Sequence, residues 1–372
     1  MIIRNARVYT PDGHFIKKDL HLDGAYIRRH TSDPVEIDAN GLYAIPGLID
    51  IHLHGCMGHD FCDAAACTLD TMAAYQACNG VTGFVPASMT LSEEKLSGIF
   101  QNAAHQTQET GAMLLGVNME GPFLAETKKG AQNARYLIPP DIPMFRRLNA
   151  VSGGRIKLVT LAPELAGASE FITALKDETV LSLGHTEASY ETAFNAFELG
   201  ASHVTHLFNA MPPFNHREPG LIGAAFDHPG VTAELICDNV HVAPAIVRAA
   251  FKLFTAERIV LVSDSMRAAG LADGAYTLGG QAVQVCGNRA ALADGTLAGS
   301  VTNLMDCLRN AVSFGIPLAD AVRAAAVNPA RVIGESDRLG SLEPGKLANV
   351  VLLDKKLNVV KVFVKGKCCK DK

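Results

Sequence analysis

The sequence lacks any apolar run near the length of about 20 residues that a membrane-spanning helix needs. Its N-terminus also lacks the apolar core and cleavage site that define a secretory signal peptide. Nine cysteines are present without a Cys-x-x-Cys pair, and their odd number is typical of a reducing compartment rather than of a disulfide framework. These absences together predict a cytoplasmic protein without a membrane partner.

The chain also lacks a large excess of one sign of charge. The formal net charge of −5 over 372 residues gives no sequence-wide attraction to nucleic acid or to anionic lipid. Hydrophobic residues make up 48% and charged residues 19%, which is ordinary for a soluble enzyme with one large domain or two. We therefore expect an enzyme that acts on a small molecule and does not bind nucleic acid.

Apolar, β-branched stretches recur along the middle of the chain, and a helical pattern follows each of them. Eight such stretches are predicted as strands: Ile49–His54, Val81–Ser88, Met113–Gly121, Ile156–Glu164, Val180–Thr186, His203–Asn209, Val231–Asp238 and Ile259–Ser265. Hydrophobic strands that alternate with helices predict a parallel sheet covered on both faces, and eight units fit a closed (β/α)₈ barrel of the TIM type. The alternative is a doubly wound open sheet. That fold would require a glycine-rich phosphate turn after the first strand, and none is present.

The two ends of the chain have a different pattern. Residues 1–48 alternate apolar and polar side chains around Gly and Asp turns, and the tail from 348 to 367 does the same. We predict an α/β protein in which residues 1–48 and 342–372 form one small β-sandwich domain, while residues 49–341 form the barrel. Residues 281–292 are predicted as a further β excursion after the eighth strand.

Metal-ligating and acidic side chains stand at the predicted carboxyl ends of the strands. His52 and His54 are two residues apart on one strand, so both imidazoles point to the same face and can hold one divalent metal ion. The further members at this rim are Glu120, His185, His206, His241 and Asp264. Each has a simpler structural alternative, such as a cap of the following segment for Asp264, but random placement would not align them with successive strand ends. Since active sites of such barrels lie at this rim, we predict one there.

Imidazole and carboxylate groups in this combination indicate metal-assisted hydrolysis. They suit Zn²⁺ first, and also Fe²⁺, Co²⁺ or Mn²⁺. A bound divalent metal lowers the pKa of its water from about 15.7 toward about 7. A carboxylate that does not bind the metal is still needed to move the proton to the leaving group, and Asp264 stands where that base would be.

A series of motifs resembles a known family. His52-x-His54 after Pro46-Gly47-Leu48-Ile49-Asp50, and the segment from Gly340 to Val351, are similar to the amidohydrolase superfamily. Within that superfamily the chain resembles the N-acetylglucosamine-6-phosphate deacetylases almost end to end. The motifs are Glu120-Gly121-Pro122-Phe123, Lys128-Lys129-Gly130-Ala131, Gly184-His185-Thr186, Thr205-His206-Leu207-Phe208-Asn209-Ala210-Met211, Arg217-Glu218-Pro219-Gly220, Asp238-Asn239-Val240-His241, Val262-Ser263-Asp264-Ser265 and Leu297-Ala298-Gly299-Ser300.

The resemblance implies a reaction and a role for each matched residue. It implies hydrolysis of N-acetyl-D-glucosamine 6-phosphate to D-glucosamine 6-phosphate and acetate, with one or two divalent metal ions in each subunit of a homodimer. Glu120, His185 and His206 match the ligands of the principal metal, and His52 and His54 match those of a second metal bridged by Glu120. Asp264 matches the catalytic acid and base. The substrate-binding positions match Ala131, Gln132, Asn209, Ala210, Arg217, His241, Leu297, Ala298 and Gly299.

One position departs from the family, and several other functions stay open. Gln132 stands where many members have a histidine, and Gln donates hydrogen bonds but carries no charge. The nearest alternative substrate is N-acetylgalactosamine 6-phosphate, because the sequence does not fix the configuration at C4. More distant alternatives are a cyclic-amide hydrolase or deaminase, and a metal-free relative that acts as a binding protein.

Overall fold

A barrel of eight parallel strands forms the body of the protein. The computed structural model describes residues 1–107 and 110–371, so residues 108, 109 and 372 of the predicted domains lie outside the described part. The barrel strands, in chain order, are Leu48–Leu53, Val81–Ser88, Val117–Glu120, Ile156–Leu161, Val180–Leu183, His203–Val204, Thr232–Ile236 and Ile259–Val262. Each pairs in parallel with the next along the chain, which confirms the predicted barrel and excludes the open doubly wound sheet.

The first and eighth barrel strands meet through backbone hydrogen bonds at their carboxyl ends. The Asp264 N–H donates to the carbonyl of His52 at 2.9 Å, and the His54 N–H donates to the carbonyl of Ser265 at 2.7 Å. Two predicted metal ligands and the predicted base are therefore fixed relative to each other by main-chain contacts.

Several predicted strands are too long at their carboxyl ends. The fourth strand ends at Leu161 instead of Glu164, and the sixth ends at Val204 instead of Asn209. The third is interrupted, because Met113–Leu114 pairs with the second strand before Val117–Glu120 begins. Residues that were predicted to continue these strands leave strand geometry at the rim. His185, His206 and Asp264 have φ values of 49°, 27° and 48°. Such left-handed backbone is uncommon for residues with a Cβ and concentrates at functional sites.

Helices cover the outside of the barrel. They are Ala66–Cys78, Glu93–His105, Ile142–Val151, Ala168–Leu175, Tyr190–Leu199, Gly220–Asp227, Pro244–Arg258, Leu304–Ser313, Leu318–Val322 and Asn328–Val332. The Ser189 hydroxyl begins one of them by accepting the Thr192 N–H at 3.2 Å, as an N-cap does. Their apolar faces pack on the strands in one large buried cluster. Among residues 1–107 and 110–371, no helix has the length and apolar character that crossing a membrane requires.

The two chain ends meet in one sheet outside the barrel. It contains eight strands: Ile2–Tyr9, Phe15–Asp23, Tyr26–Arg28, Glu36–Asp38, Tyr43–Pro46, Val350–Leu353, Val359–Val364 and Lys367–Asp371. Tyr43–Pro46 pairs antiparallel with Val350–Leu353, which joins the start of the chain to its end. This sheet has a buried cluster of its own that includes Ile3, Leu22 and Phe363. The division into domains at residues 48 and 342 stays a prediction.

The predicted excursion after the eighth strand is present as a small antiparallel sheet. Its strands are Gly274–Leu278, Gln281–Cys286 and Arg289–Ala291. Leu278 and Ala298 belong to a buried cluster under this sheet. The excursion therefore brings one wall of apolar residues to the rim where the polar side chains gather.

Candidate active site

The carboxylate of Glu120 lies at the centre of the site. Its Oε1 is 3.1 Å from Nε2 of both His185 and His206, and 3.5 Å from Nε2 of His52. Its Oε2 is 3.3 Å from Nε2 of His54. Four imidazoles from three different places in the chain thus converge on one carboxylate, which is 2% exposed in its side chain.

The ring orientation of three histidines leaves Nε2 free for a metal. The Nδ1–H of His54 donates to the carbonyl of Ala87 at 3.1 Å, and that of His185 donates to the carbonyl of Lys128 at 2.7 Å. The Nδ1–H of His52 donates to the Glu234 carboxylate at 2.8 Å. Oxygen acceptors at Nδ1 fix the proton there, which is how metal-binding histidines are usually oriented.

The charges of the centre reinforce each other. Burial lowers the pKa of His54, but hydrogen bonds and charge from Asp264 and Glu120 outweigh burial and raise that pKa to about 10. Burial also opposes ionisation of Glu120, yet the charge of His52 and the hydrogen bonds of His185 and His206 hold its pKa well below the ordinary value. The carboxylate is therefore ionised at neutral pH and available as a bridging ligand.

The donor set fits divalent metal ions at two adjacent positions. One group is His52, His54 and Glu120, and the other is Glu120, His185 and His206; within each group the ligand atoms lie within 4.8 Å of one another. The Nε2 atom of His52 is buried and has no hydrogen-bond partner among the described residues, as expected of an atom reserved for a metal. Nitrogen and oxygen donors of this kind suit Zn²⁺, Fe²⁺, Co²⁺ and Mn²⁺.

Asp264 faces the centre without joining either ligand group. Its Oδ1 is 3.3 Å from Nε2 of His54 and 3.8 Å from Nε2 of His52. Burial favours the protonated form, but the hydrogen bond from His54 and the charge of His52 lower the pKa of Asp264 below its ordinary value. The Ser300 N–H donates to its carbonyl at 2.7 Å, so the backbone is fixed independently of the carboxylate. An ionised carboxylate so placed can accept a proton from an attacking water.

A cavity of about 480 Å³ opens onto this centre. His54, Glu120, His185, His206 and Asp264 line it, while His52 lies fully buried behind them. Of the predicted substrate-binding residues, seven also line it: Ala131, Gln132, Asn209, Ala210, His241, Leu297 and Gly299. Ala298 does not line it, because its side chain is buried in the cluster below the excursion. The roles of these residues in binding stay predictions.

Arg217 does not line the cavity of its own chain. It is exposed on the loop before Gly220–Asp227, and its backbone N–H donates to Oδ1 of Asn215 at 2.9 Å. The cations that do line the cavity are Lys128 and Lys129, which are half-buried.

His241 is held rigidly at the cavity wall by Asp238. Its Nδ1–H donates to Oδ2 of Asp238 at 2.7 Å, and Oδ1 of the same carboxylate accepts the N–H groups of Val240 and His241 at 2.9 and 2.8 Å. Burial lowers the pKa of His241, but its hydrogen bond to Asp238 outweighs burial and raises the pKa above the ordinary value. The same contact lowers the pKa of Asp238.

The sequence did not indicate two groups of residues that lie at the site. Glu234, which binds His52, lies in the seventh barrel strand among apolar residues; a charge inside an otherwise hydrophobic strand was the signal that could have found it. Lys128 and Lys129 belong to a motif that the resemblance identified, but nothing in the sequence places their side chains at the cavity.

Comparisons with known proteins agree with this geometry. Residues 43–369 match the model of the amidohydrolase family. The chain is 40% identical over 329 residues to N-acetylglucosamine-6-phosphate deacetylase of Bacillus subtilis (strain 168), covering 87% of this chain and 83% of the relative. It is 35% identical over 370 residues to N-acetylgalactosamine-6-phosphate deacetylase of Escherichia coli O157:H7, covering 98% of both. A solved structure of N-acetyl-D-glucosamine-6-phosphate deacetylase from Mycobacterium smegmatis, a mutant in complex with N-acetyl-D-glucosamine-6-phosphate, superposes with a TM-score of 0.93 at 33% identity over 99% of both chains. The chain belongs to the amidohydrolase family.

Proposed function

We propose that this protein hydrolyses the N-acetyl amide of N-acetyl-D-glucosamine 6-phosphate, releasing acetate and D-glucosamine 6-phosphate. The observation that carries the proposal is the convergence of two metal-ligand groups and the non-ligating Asp264 on one cavity. Relatives that match most of the chain carry this activity in their names.

Divalent metal ions, one or two per subunit, are part of the proposal. Glu120, His185 and His206 would hold one, and His52 and His54 would hold a second that shares Glu120. When bound, such a metal polarises the amide carbonyl and makes water a stronger acid and nucleophile. The nitrogen-rich ligand set supports Zn²⁺ first, with Fe²⁺, Co²⁺ and Mn²⁺ as alternatives.

The protein's own residues move the proton and hold the acetyl group. Asp264 takes a proton from the attacking water and returns it to the amine nitrogen as the C–N bond breaks. With the Nδ1–H of His241 committed to Asp238, its Nε2–H can donate a hydrogen bond to the acetyl oxygen when the ring is protonated, the form that its raised pKa favours. Leu297, Gly299 and Ala131 form the cavity wall against the sugar.

The phosphate group is proposed to bind Arg217 together with the backbone of Asn209 and Ala210. A guanidinium matches phosphate through its forked N–H donors. Because Arg217 is exposed and does not line the cavity of its own chain, we propose that it reaches the site of a partner subunit in a homodimer. Lys128 and Lys129 at the cavity support an anionic substrate in either case.

Nine free cysteines support a cytoplasmic location.

A second substrate is supported by a specific comparison. The relative named N-acetylgalactosamine-6-phosphate deacetylase covers 98% of this chain, at 35% identity.

The proposed function is tested by measuring acetate release by the metal-loaded protein. The substrates are the 6-phosphates of N-acetylglucosamine and N-acetylgalactosamine, and unphosphorylated N-acetylglucosamine. We expect the first to have the highest kcat/KM. Higher kcat/KM with the galacto compound would support the second candidate, and equal turnover without phosphate would contradict a phosphosugar site.

A further inference from the structure

One buried carboxylate lies behind the metal ligands and touches both groups. Glu234 lies in the strand Thr232–Ile236 and is 0% exposed. Its Oε2 accepts the Nδ1–H of His52 at 2.8 Å and the backbone N–H of His206 at 2.9 Å. His52 belongs to one ligand group and His206 to the other.

The second oxygen of this carboxylate is held by a further histidine, His203. Oε1 of Glu234 is 3.4 Å from Nε2 of His203, whose Nδ1 lies 2.6 Å from the hydroxyl of Thr232. That hydroxyl donates to the carbonyl of Ser202 at 3.3 Å. The carboxylate therefore cannot rotate without breaking contacts at both oxygens.

We propose that Glu234 is a positioning residue that couples the two metal positions. A single oxygen holds the ring of His52 and the backbone of His206, so a change in one ligand group is transmitted to the other. The inference rests on the metal-dependent function proposed above. Glu234 does not line the cavity, so it cannot touch the substrate and must act through the ligands.

The contact with His52 has a defined chemical effect. An ionised carboxylate accepts hydrogen bonds only, so it fixes the His52 proton on Nδ1 and leaves the Nε2 lone pair directed toward Glu120. The contact with His206 acts on the backbone, which has a φ of 27° at that residue. This backbone is strained for a residue with a Cβ, so an extra hydrogen bond is needed to hold it.

A burial cost makes a purely structural role an unattractive explanation. An ionised carboxylate buried in the barrel is unfavourable unless it is paired and hydrogen-bonded, and an apolar side chain of similar size would pack there without that cost. Glu234 nevertheless makes its shortest contacts to two metal ligands.

Two variants at this position test the proposal by metal binding, independently of substrate. Glu234→Leu keeps the volume but removes both acceptors, whereas Glu234→Gln keeps one acceptor for His52 and His206 and removes the charge. Cobalt(II) is titrated into EDTA-treated, dialysed protein, and the visible spectrum and Kd are recorded. We expect cobalt Kd to rise about 10- to 100-fold, with Gln at the low end and Leu at the high end, and the d–d bands to change. Wild-type Kd and spectrum in Glu234→Gln would overturn the proposal, even if Glu234→Leu does not fold.

A matched control and a double variant separate positioning from general damage. Glu335→Gln changes another carboxylate, which is 9% exposed, pairs with Lys157 and Arg338 and does not line the cavity, and it should bind cobalt as the wild type does. In a His52→Asn background, Glu234→Gln should lose less affinity than in the wild type, because part of its effect passes through His52. Equal losses in both backgrounds would contradict a role through His52. If wild-type protein binds cobalt but releases no acetate, the proposed function fails while this inference stands.

Discussion

The side-chain amide of Gln132 donates a 2.8 Å hydrogen bond to Oε2 of Glu120, while its own oxygen accepts the Thr90 N–H at 2.7 Å. The backbone donor fixes which end of the amide faces the carboxylate. Gln132 therefore stabilises the central ligand at the position where many family members have a histidine. Gln132 thus gives Glu120 an uncharged hydrogen-bond donor in the cavity wall.

Replacing Gln132 should affect stability as well as catalysis. Gln132→Leu keeps the size but leaves the Thr90 N–H and Oε2 of Glu120 without this partner, so we expect the free energy of unfolding to fall by about 1–3 kcal/mol. Chemical denaturation in EDTA measures this without a contribution from metal. Gln132→Glu keeps an acceptor for Thr90, but places a second negative charge beside Glu120. A wild-type free energy of unfolding in Gln132→Leu would show that these hydrogen bonds contribute nothing.

Asp264→Asn should abolish most catalysis and leave binding intact. An amide cannot accept the proton of the attacking water, and positioned acid–base groups contribute about 10²–10⁴-fold to rate. We expect kcat to fall by that factor while metal content and KM stay close to wild type. Glu335→Gln, at a carboxylate that pairs with Lys157 and Arg338 outside the cavity, is the control and should retain kcat. A variant Asp264→Asn that keeps more than a tenth of wild-type kcat would remove Asp264 from the mechanism.

The pair of His241 and Asp238 predicts a pH-dependent difference in stability. The pKa of His241 is raised from 6.5, so its contribution is fully present below that value and is lost as pH rises through the folded-state pKa. The pKa of Asp238 is lowered from 3.8, so its contribution is lost only as pH falls through that lower value.

The loss of stability in Asp238→Asn should therefore be largest between pH 3.8 and pH 6.5, the ordinary pKa values of Asp and His. We expect a loss of about 1.5–3 kcal/mol in the free energy of unfolding near pH 5, and a smaller loss near pH 9. Denaturation of both proteins in EDTA across this range gives the difference directly. A difference that does not change with pH would contradict a change in the protonation of His241 within this range.

Arg217 predicts complementation between two inactive variants. If Arg217 serves the partner's site, a heterodimer of Arg217→Ala and Asp264→Asn contains one intact site, built from the Asp264 of one chain and the Arg217 of the other. Co-expression with two different affinity tags isolates this heterodimer, and we expect about half of the wild-type kcat per dimer. Activity no higher than in the two homodimers would place Arg217 in its own chain's site, and a monomer by light scattering would contradict the proposed homodimer.

The sequence predicted the barrel because its strands are continuous apolar runs, and such runs occur in few other folds. It also predicted the ligand set, since His52 and His54 share one face of a strand and the other ligands follow strand ends. It overestimated the strands near His185 and His206, because local apolar character continues past the point where the backbone turns. Glu234 was missed as a functional group, since its partner His52 lies 182 residues away in the sequence and reaches it through tertiary contacts that no spacing encodes.

The most direct test of the account is acetate release before and after metal is removed. Protein stripped with EDTA and dialysed should release no acetate from N-acetyl-D-glucosamine 6-phosphate, and one or two equivalents of Zn²⁺, Fe²⁺, Co²⁺ or Mn²⁺ should restore it. Full activity in protein shown by elemental analysis to contain no metal would contradict the account, because Glu120 and its four histidines would then have no role in the reaction.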